Sequence, residues 1–335
     1  MEIVNQPYSK ALVDWAKNKP ELVVFSGDLT GSTEISLFKK TYPDRFYSLG
    51  MAEQNMMSFA GGLAREGFTP FVHTFSVFMY RRALDQIEMS IAYPNQKVRM
   101  MGFLPGIMTP GGVTHQAIDD IGVLKNLPNL TIIETGDATD VETMLPVIDK
   151  IDGPVYVRVL RKDVPRLFPK SEPMQFNRVR VLSEGTDITL VTAGVCTEEA
   201  MRATSLLKKE GVSIEHIHVN MHKPFSDPQV AKSIAKSKYG VITMENHTII
   251  SGLGAEVAET IAINGLGKKL YRIGLEDTYA HGGSQNYLME YYGLDAMALV
   301  RKVESIMGTK FSIKKEDLSE VRLNIKASED QLEAL

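Results

Sequence analysis

The sequence predicts an α/β protein made of two open, mostly parallel sheets. Three observations lead there. Short apolar runs of strand length alternate with helical stretches from residue 8 to residue 159, the pattern of a parallel sheet covered on both faces. The rhythm breaks where Pro165, Pro169 and Pro173 stand among mixed charges, then resumes from residue 188. The chain has 335 residues, a length that suits two domains. This gives a first domain at 1–165, a linker at 166–180, a second domain at 181–310 and a charged tail at 311–335, read as a surface helix or frayed end.

In order, residues 8–18 form the first helix, with Ala11, Leu12 and Trp15 on one face. A strand at 22–25 ends at Ser26-Gly27-Asp28. Residues 45–49 are a strand that turns at Gly50-Met51-Ala52 into a helix with Met56, Met57, Ala60, Leu63 and Ala64 as its buried stripe. Gly61 and Gly62 let that helix pack closely against a neighbour. There follow a strand at 69–74, a long helix at 76–93, a strand at 98–102 and a loop rich in glycine and proline at 104–112. A strand at 130–133, a helix at 138–150 and a strand at 155–159 complete the first domain. Strands at 188–191, 213–218, 240–244 and 269–273, with helices between them, make the second.

Composition narrows the function. The net charge is −4 and no basic stripe carries interleaved aromatics, so nucleic acid is not an expected partner. No run of about 18 apolar residues occurs, so no membrane span is expected. Residues 1–10 lack the apolar core of a signal peptide. Cys196 is the single cysteine; it permits no disulfide within the chain, which fits a cytoplasmic location, and its place after an apolar run reads as packing.

Five stretches could carry chemistry. Glu53 sits where a strand becomes a helix; it either complements the helix dipole or enters an apolar pocket as a proton donor or acceptor. Phe75 and Phe78 share a helix face and are either core or the walls of a slot for a flat heterocycle. His115 ends the loop TPGGVTHQ at 109–116, placed for ligand contact or catalysis, or merely a loop residue. The stretch SGDLTGST at 26–33 can bind an anion through backbone amides or cap a helix. Arg158 and Arg161 close the last strand of the first domain, either solvated or a clamp for phosphate or carboxylate.

Taken together, GMAEQN at 50–55, TFSVFMYRRALDQI at 74–87, VTHQAIDDIGVLKNLPNL at 113–130, GPVYVRVLR at 153–161 and ENHTIISGLG at 245–254 resemble the transketolase family of thiamine diphosphate enzymes. The resemblance covers nearly the whole chain, but only the C-terminal half of a full-length member. It implies a pyrimidine-binding domain followed by a transketolase C-terminal domain. It also implies that Glu53 meets N1′ of the cofactor's aminopyrimidine as a protonated carboxyl, favouring the imino form that takes the thiazolium proton. Phe75 and Phe78 map to the aromatic pocket around that ring. His115 maps to the histidine near the donor's carbonyl and hydroxyl, and Asp28 falls near an aspartate of the pocket or interface. His247 reads as structural, the second domain as less involved in chemistry, and His281 with Gly282-Gly283 stands where the family has an acidic turn.

The family's diphosphate and metal motif, GDG followed by an asparagine, occurs nowhere in the chain. The resemblance therefore implies the B subunit of a split transketolase, active only with an A subunit that supplies the diphosphate and Mg²⁺ contacts, and assembled as A₂B₂ by closed symmetry. No metal ligand is expected from this chain. The substrate end departs from the family. Gly111 replaces the acid that reads the donor hydroxyl, Phe103 replaces a phosphate-contacting histidine, and Asn5 stands near the place of an arginine. Ser32 and Arg161 remain of the anion set. Charged hydrogen bonds contribute about 1.5–3 kcal/mol each, so losing two corresponds to ~10²–10⁴ in affinity. The reaction implied is two-carbon ketol transfer from a ketose to an aldose phosphate, with an atypical donor: a branched sugar phosphate or a sulfonated ketose. Two other readings compete. The beta subunit of a 2-oxo acid dehydrogenase shares the length and the TF…F…DQI stretch, but not AEQN or THQ. A non-catalytic scaffold is opposed by the joint presence of Glu53, His115, Phe75 and Phe78.

Overall fold

Residues 2–322 are described by the computed structural model, an α/β architecture with two principal sheets. The strands of the first half are β1 (Ile3–Asn5), β2 (Leu22–Ser26), β3 (Phe46–Ser48), β4 (Thr69–Phe75), β5 (Arg99–Phe103), β6 (Thr131–Glu134), β7 (Val155–Val159) and β8 (Asp163–Pro165). They continue with β9 (Arg180–Ser183), β10 (Ile188–Ala193), β11 (Ile214–Val219), β12 (Met221–Lys223), β13 (Val241–Thr248) and β14 (Leu270–Leu275). One sheet has seven strands in the order β12-β6-β7-β5-β4-β2-β3, parallel except where β12 runs against β6. The other has five, β14-β13-β10-β11-β9, with β9 antiparallel at its edge. A two-stranded antiparallel ribbon joins β1 to β8.

Strands β2, β4, β5 and β7 are buried along their whole length, and their sequences are mainly apolar, with Arg99, His73 and Arg158 as buried polar exceptions. Helices cover both faces, and Phe71, Val72, Met100 and Val157 lie at the centre of the first core. β12 follows the β11 strand of the second sheet yet pairs with the first, so the chain returns across the domain junction.

Three elements differ from the sequence expectation. The helix expected at 138–150 is two, Ala138–Thr143 and Leu145–Asp149, because Pro146 cannot donate to a continuing helix. The helix expected at 76–93 is α-helical over Ser76–Gln86, kinks at Ala83 and runs on as a π-helical turn over Ile87–Ala92. The charged tail begins as part of the second core: Phe311 and Ile313 pack on it, and Leu318 of the helix Lys315–Arg322 is buried in it. Residues 323–335 lie outside the described residues.

The helix Glu53–Arg65 lies against the π-helical turn, and only one of its paired glycines is needed for that. A Cβ on Gly61 would sit 2.4 Å from the Ser90 carbonyl oxygen, whereas one on Gly62 would meet nothing within 4 Å. Gly61→Ala is therefore expected to cost about 1–3 kcal/mol by overpacking. Gly62→Ala is expected to gain about 0.5–1 kcal/mol by stiffening the unfolded chain. Urea midpoints of the two variants should move in opposite directions.

Candidate active site

The C-terminal ends of β2 and β4 lie side by side where the chain departs in opposite directions, β2 outward to β3 and β4 inward to β5. Open α/β sheets bind ligands at such a reversal. Glu53 opens the helix after β3 and is 1% exposed. Its Oε1 accepts the Thr74 hydroxyl at 3.3 Å, from the end of β4. The pocket is not simply apolar, as the sequence reading allowed. Arg82 donates from one nitrogen to both Glu53 oxygens, at 3.1 and 3.0 Å, and its guanidinium lies 4.1 Å over the Phe78 ring. Sequence reasoning missed Arg82, although it stands four residues after Phe78 and so shares its helix face.

Phe75 and Phe78 are near-parallel, with centroids 5.8 Å apart and planes at 23°. Rings at that separation touch each other, so no heterocycle fits between them. They form a single aromatic face instead of the two walls of a slot. The His115 ring stands edge-on to Phe78 at 5.2 Å and to Phe75 at 6.4 Å, completing that face. Its Nδ1 is 2.8 Å from the Thr114 hydroxyl. A Cβ on Gly111 would lie 2.8 Å from His115 Cγ, so the glycine makes room for the imidazole as well as removing an acid.

The loop that carries His115 is gripped by the second domain. The Asn246 side chain accepts from the Ile107 amide at 3.0 Å and donates to the Pro105 carbonyl at 3.1 Å. Gly106 has φ 61°, and a Cβ there would strike Asn246 at 2.1 Å. Gln116 donates to the His281 carbonyl at 3.2 Å, and a Cβ on Gly282 would come within 2.7 Å of the Pro110 carbonyl oxygen. The His281 ring is fixed by the Tyr292 hydroxyl at 2.7 Å, which gives that turn a role as a clamp on the loop. From the other side Arg81 donates to the Val113 carbonyl at 3.0 Å.

Beyond Phe75, Arg161 donates to the Ser32 carbonyl at 2.7 Å, and its guanidinium lies 5.9 Å from the Phe75 ring centroid. Asp28 is exposed at the end of β2 with φ 64°. Phe103 does not line this region: it is fully buried, edge-on to Tyr8 at 5.5 Å and near His73 at 6.3 Å. It is core because it closes a strand buried on both faces. Burial holds His73 down to about 3, so that ring is neutral and bonds the Tyr8 hydroxyl at 2.7 Å. Glu34, absent from the sequence reading, is buried beside Arg161; burial pushes its carboxyl up to about 7 against the pull of the Lys162 amide. Arg158 is no substrate clamp, being fully buried between Asp120 and Glu134. His247 is buried and bonded to the Thr248 carbonyl at 2.7 Å, and Cys196 is buried with its thiol pushed up by burial.

The residues present suit the pyrimidine half of a thiamine cofactor: a buried carboxyl with a polar partner, an aromatic face, and an imidazole at its edge. Among the described residues no group of three or more His, Cys, Asp or Glu is placed to hold a metal ion. No helix among them is long and apolar enough to cross a membrane.

Comparison with known proteins agrees. The family model of the transketolase pyrimidine-binding domain matches residues 4–166, and that of the transketolase C-terminal domain matches 177–299. The chain is 37% identical over 299 residues to a putative transketolase C-terminal section of Methanocaldococcus jannaschii, covering 88% of this chain and 93% of that protein. It is 33% identical over 304 residues to the 6-deoxy-6-sulfo-D-fructose transketolase subunit SqwH of Clostridium sp., covering 90% and 94%. It is also 33% identical to the 1-deoxy-D-xylulose-5-phosphate synthase of Chlorobium phaeovibrioides, covering 88% of this chain but 47% of that protein. A solved split gene transketolase, an inactive beta4 tetramer, superimposes with a TM-score of 0.82 at 35% identity, covering 91% of this chain and 98% of that one. The transketolases are a thiamine diphosphate-dependent family of transferases. The chain belongs to the transketolase family, of which it carries the pyrimidine-binding and C-terminal domains.

Proposed function

We propose that this chain is the B subunit of a split transketolase that, joined to an A subunit, transfers a two-carbon ketol unit from a ketose to an aldose phosphate. The observation that carries this reading is the convergence of Glu53, Phe75, Phe78 and His115 at one sheet reversal, in a chain without the GDG…N motif. When bound, the cofactor supplies a carbon nucleophile and an electron sink for the ketose carbonyl. In this reading Glu53 faces the pyrimidine N1′ and holds a proton there. Arg82, which bonds both Glu53 oxygens, then has to release at least the one that carries the proton to N1′. Phe75 and Phe78 present the face on which the ring rests. His115 stands where the donor's carbonyl and hydroxyl enter and moves a proton there as a general acid and base. Asp28 borders the pocket, while Ser32 and Arg161 receive the substrate's terminal anion.

The diphosphate and Mg²⁺ contacts then fall to the A subunit. Met51 is 75% exposed two residues before Glu53, and Tyr47 and Phe59 are also exposed there, an apolar rim suited to burial under a second chain. A closed A₂B₂ assembly satisfies the symmetry. The related split transketolase solved as an inactive beta4 tetramer supports the view that B chains self-associate without activity. The sulfofructose transketolase relative supports a sulfonated ketose over a branched sugar phosphate as the atypical donor.

Two measurements test this. The purified chain alone is expected to show no ketol transfer and weak thiamine diphosphate binding by titration calorimetry with Mg²⁺ present. Co-expression with the A subunit should restore both and give an A₂B₂ mass; tight binding by the chain alone would refute the split arrangement. In the assembled complex His115→Ala is expected to lower kcat by ~10²–10⁴-fold, the order for loss of a general acid–base group. An unchanged kcat would show that His115 is remote from the chemistry.

A further inference from the structure

Resting on the ketol-transfer reading, we propose that Glu34 is a specificity-determining residue, its carboxyl beside Arg161 favouring a donor that ends in a singly charged sulfonate over one that ends in a doubly charged phosphate.

The geometry comes first. Glu34 lies two residues after Ser32, with φ 57°, a left-handed conformation that turns its side chain inward. It is 3% exposed. Its Oε1 accepts the Lys162 amide at 2.6 Å, next to Arg161 in the chain, while the Tyr8 and Ser9 amides at the start of the helix Pro7–Ala16 also favour its charge. Oε2 is buried without a hydrogen-bond partner, and so is Nε of Arg161. Glu34 and Arg161 sense each other's charge.

The charges around Glu34 are few. Arg161 is the cation facing it. Tyr8 is held in its phenol form by burial and by Glu34 itself, and His73 behind Tyr8 is neutral. A single guanidinium matches one negative charge. An ionised Glu34 repels a doubly charged terminus about twice as strongly as a singly charged one. One extra unit charge about 12 Å from a carboxylate, at an effective dielectric constant of about 20, corresponds to about tenfold in affinity.

The test assays the co-expressed complex with 6-deoxy-6-sulfo-D-fructose, with fructose 6-phosphate, and with hydroxypyruvate, a donor that has no tetrahedral terminal anion. At pH 8 kcat/KM is expected to favour the sulfonate over the phosphate by about tenfold. Glu34→Gln keeps an oxygen for the Lys162 amide and is expected to erase about tenfold of that preference, through KM of the phosphate donor. An unchanged ratio in a folded variant overturns the proposal. If the variant does not fold, the wild-type profile decides. The sulfonate does not titrate between pH 6 and 8, so its KM should rise across that range while KM for hydroxypyruvate stays flat; parallel profiles overturn the proposal. Turnover of none of the three donors would instead refute the ketol-transfer reading, and this inference with it.

Discussion

A guanidinium cut off from solvent sits where the two sheets meet, and much of the structure is arranged to satisfy it. Arg158 donates to Asp120 at 3.0 Å, to Glu134 at 2.7 Å, and to the carbonyls of Ala117 and Asn246 at 3.3 and 3.0 Å. A buried cation is costly unless its donors are met, so these partners cannot drift. They come from the helix Asp120–Leu124, from β6, from the segment after His115 and from β13 of the second domain. The network extends through His222, which lies between Glu134 and Glu256 at 3.0 and 3.1 Å. Burial would lower that imidazole, but Glu256 and Glu134 raise it to about 10, so it stays charged at neutral pH. Burial likewise opposes ionisation of Glu134, yet Arg158 and His222 hold it down to about 2.

This junction explains why a domain with no residue at the reversal of the first sheet still matters to the site. With Arg158 locked, Asn246 and the His281 turn are brought against the loop from Pro105 to Gln116, and that loop fixes His115 beside the phenylalanines. The other flank is built differently. Glu53 is buried at the helix start, and over it Arg82 and the apolar rim of Met51, Tyr47 and Phe59 are exposed. One side of the site is completed within the chain, and the other presents surface suited to a second chain.

Much of this was legible in the sequence. Strands buried on both faces are mainly apolar, so the parallel cores announced themselves. Glu53, Phe75, Phe78 and His115 could be read from residue type and spacing at strand ends, and the structure brings them together. The edge strands β1, β8, β9 and β12 were not legible, because each is three or four residues long and pairs with a segment far away, as Ile3 does with Pro165. Arg82 and Glu34 were missed because a charged residue in an amphipathic or loop stretch reads as solvated: Glu34 is buried by tertiary packing, and Arg82, itself half exposed, reaches a buried carboxyl. Arg158 and Arg161 looked alike in VRVLR, yet one lies inside β7 and is buried while the other follows it and is not.

The central claim is that Glu53 is the proton-holding partner of the cofactor's pyrimidine. The measurement that tests it most directly is the rate of hydrogen–deuterium exchange at the thiazolium carbon of thiamine diphosphate bound to the assembled complex, in wild type and in Glu53→Gln. The amide keeps the shape but cannot supply the acidic proton. Exchange slowed by about 10²-fold or more, with assembly intact, is the expected result. Near-normal exchange in the variant would contradict the account.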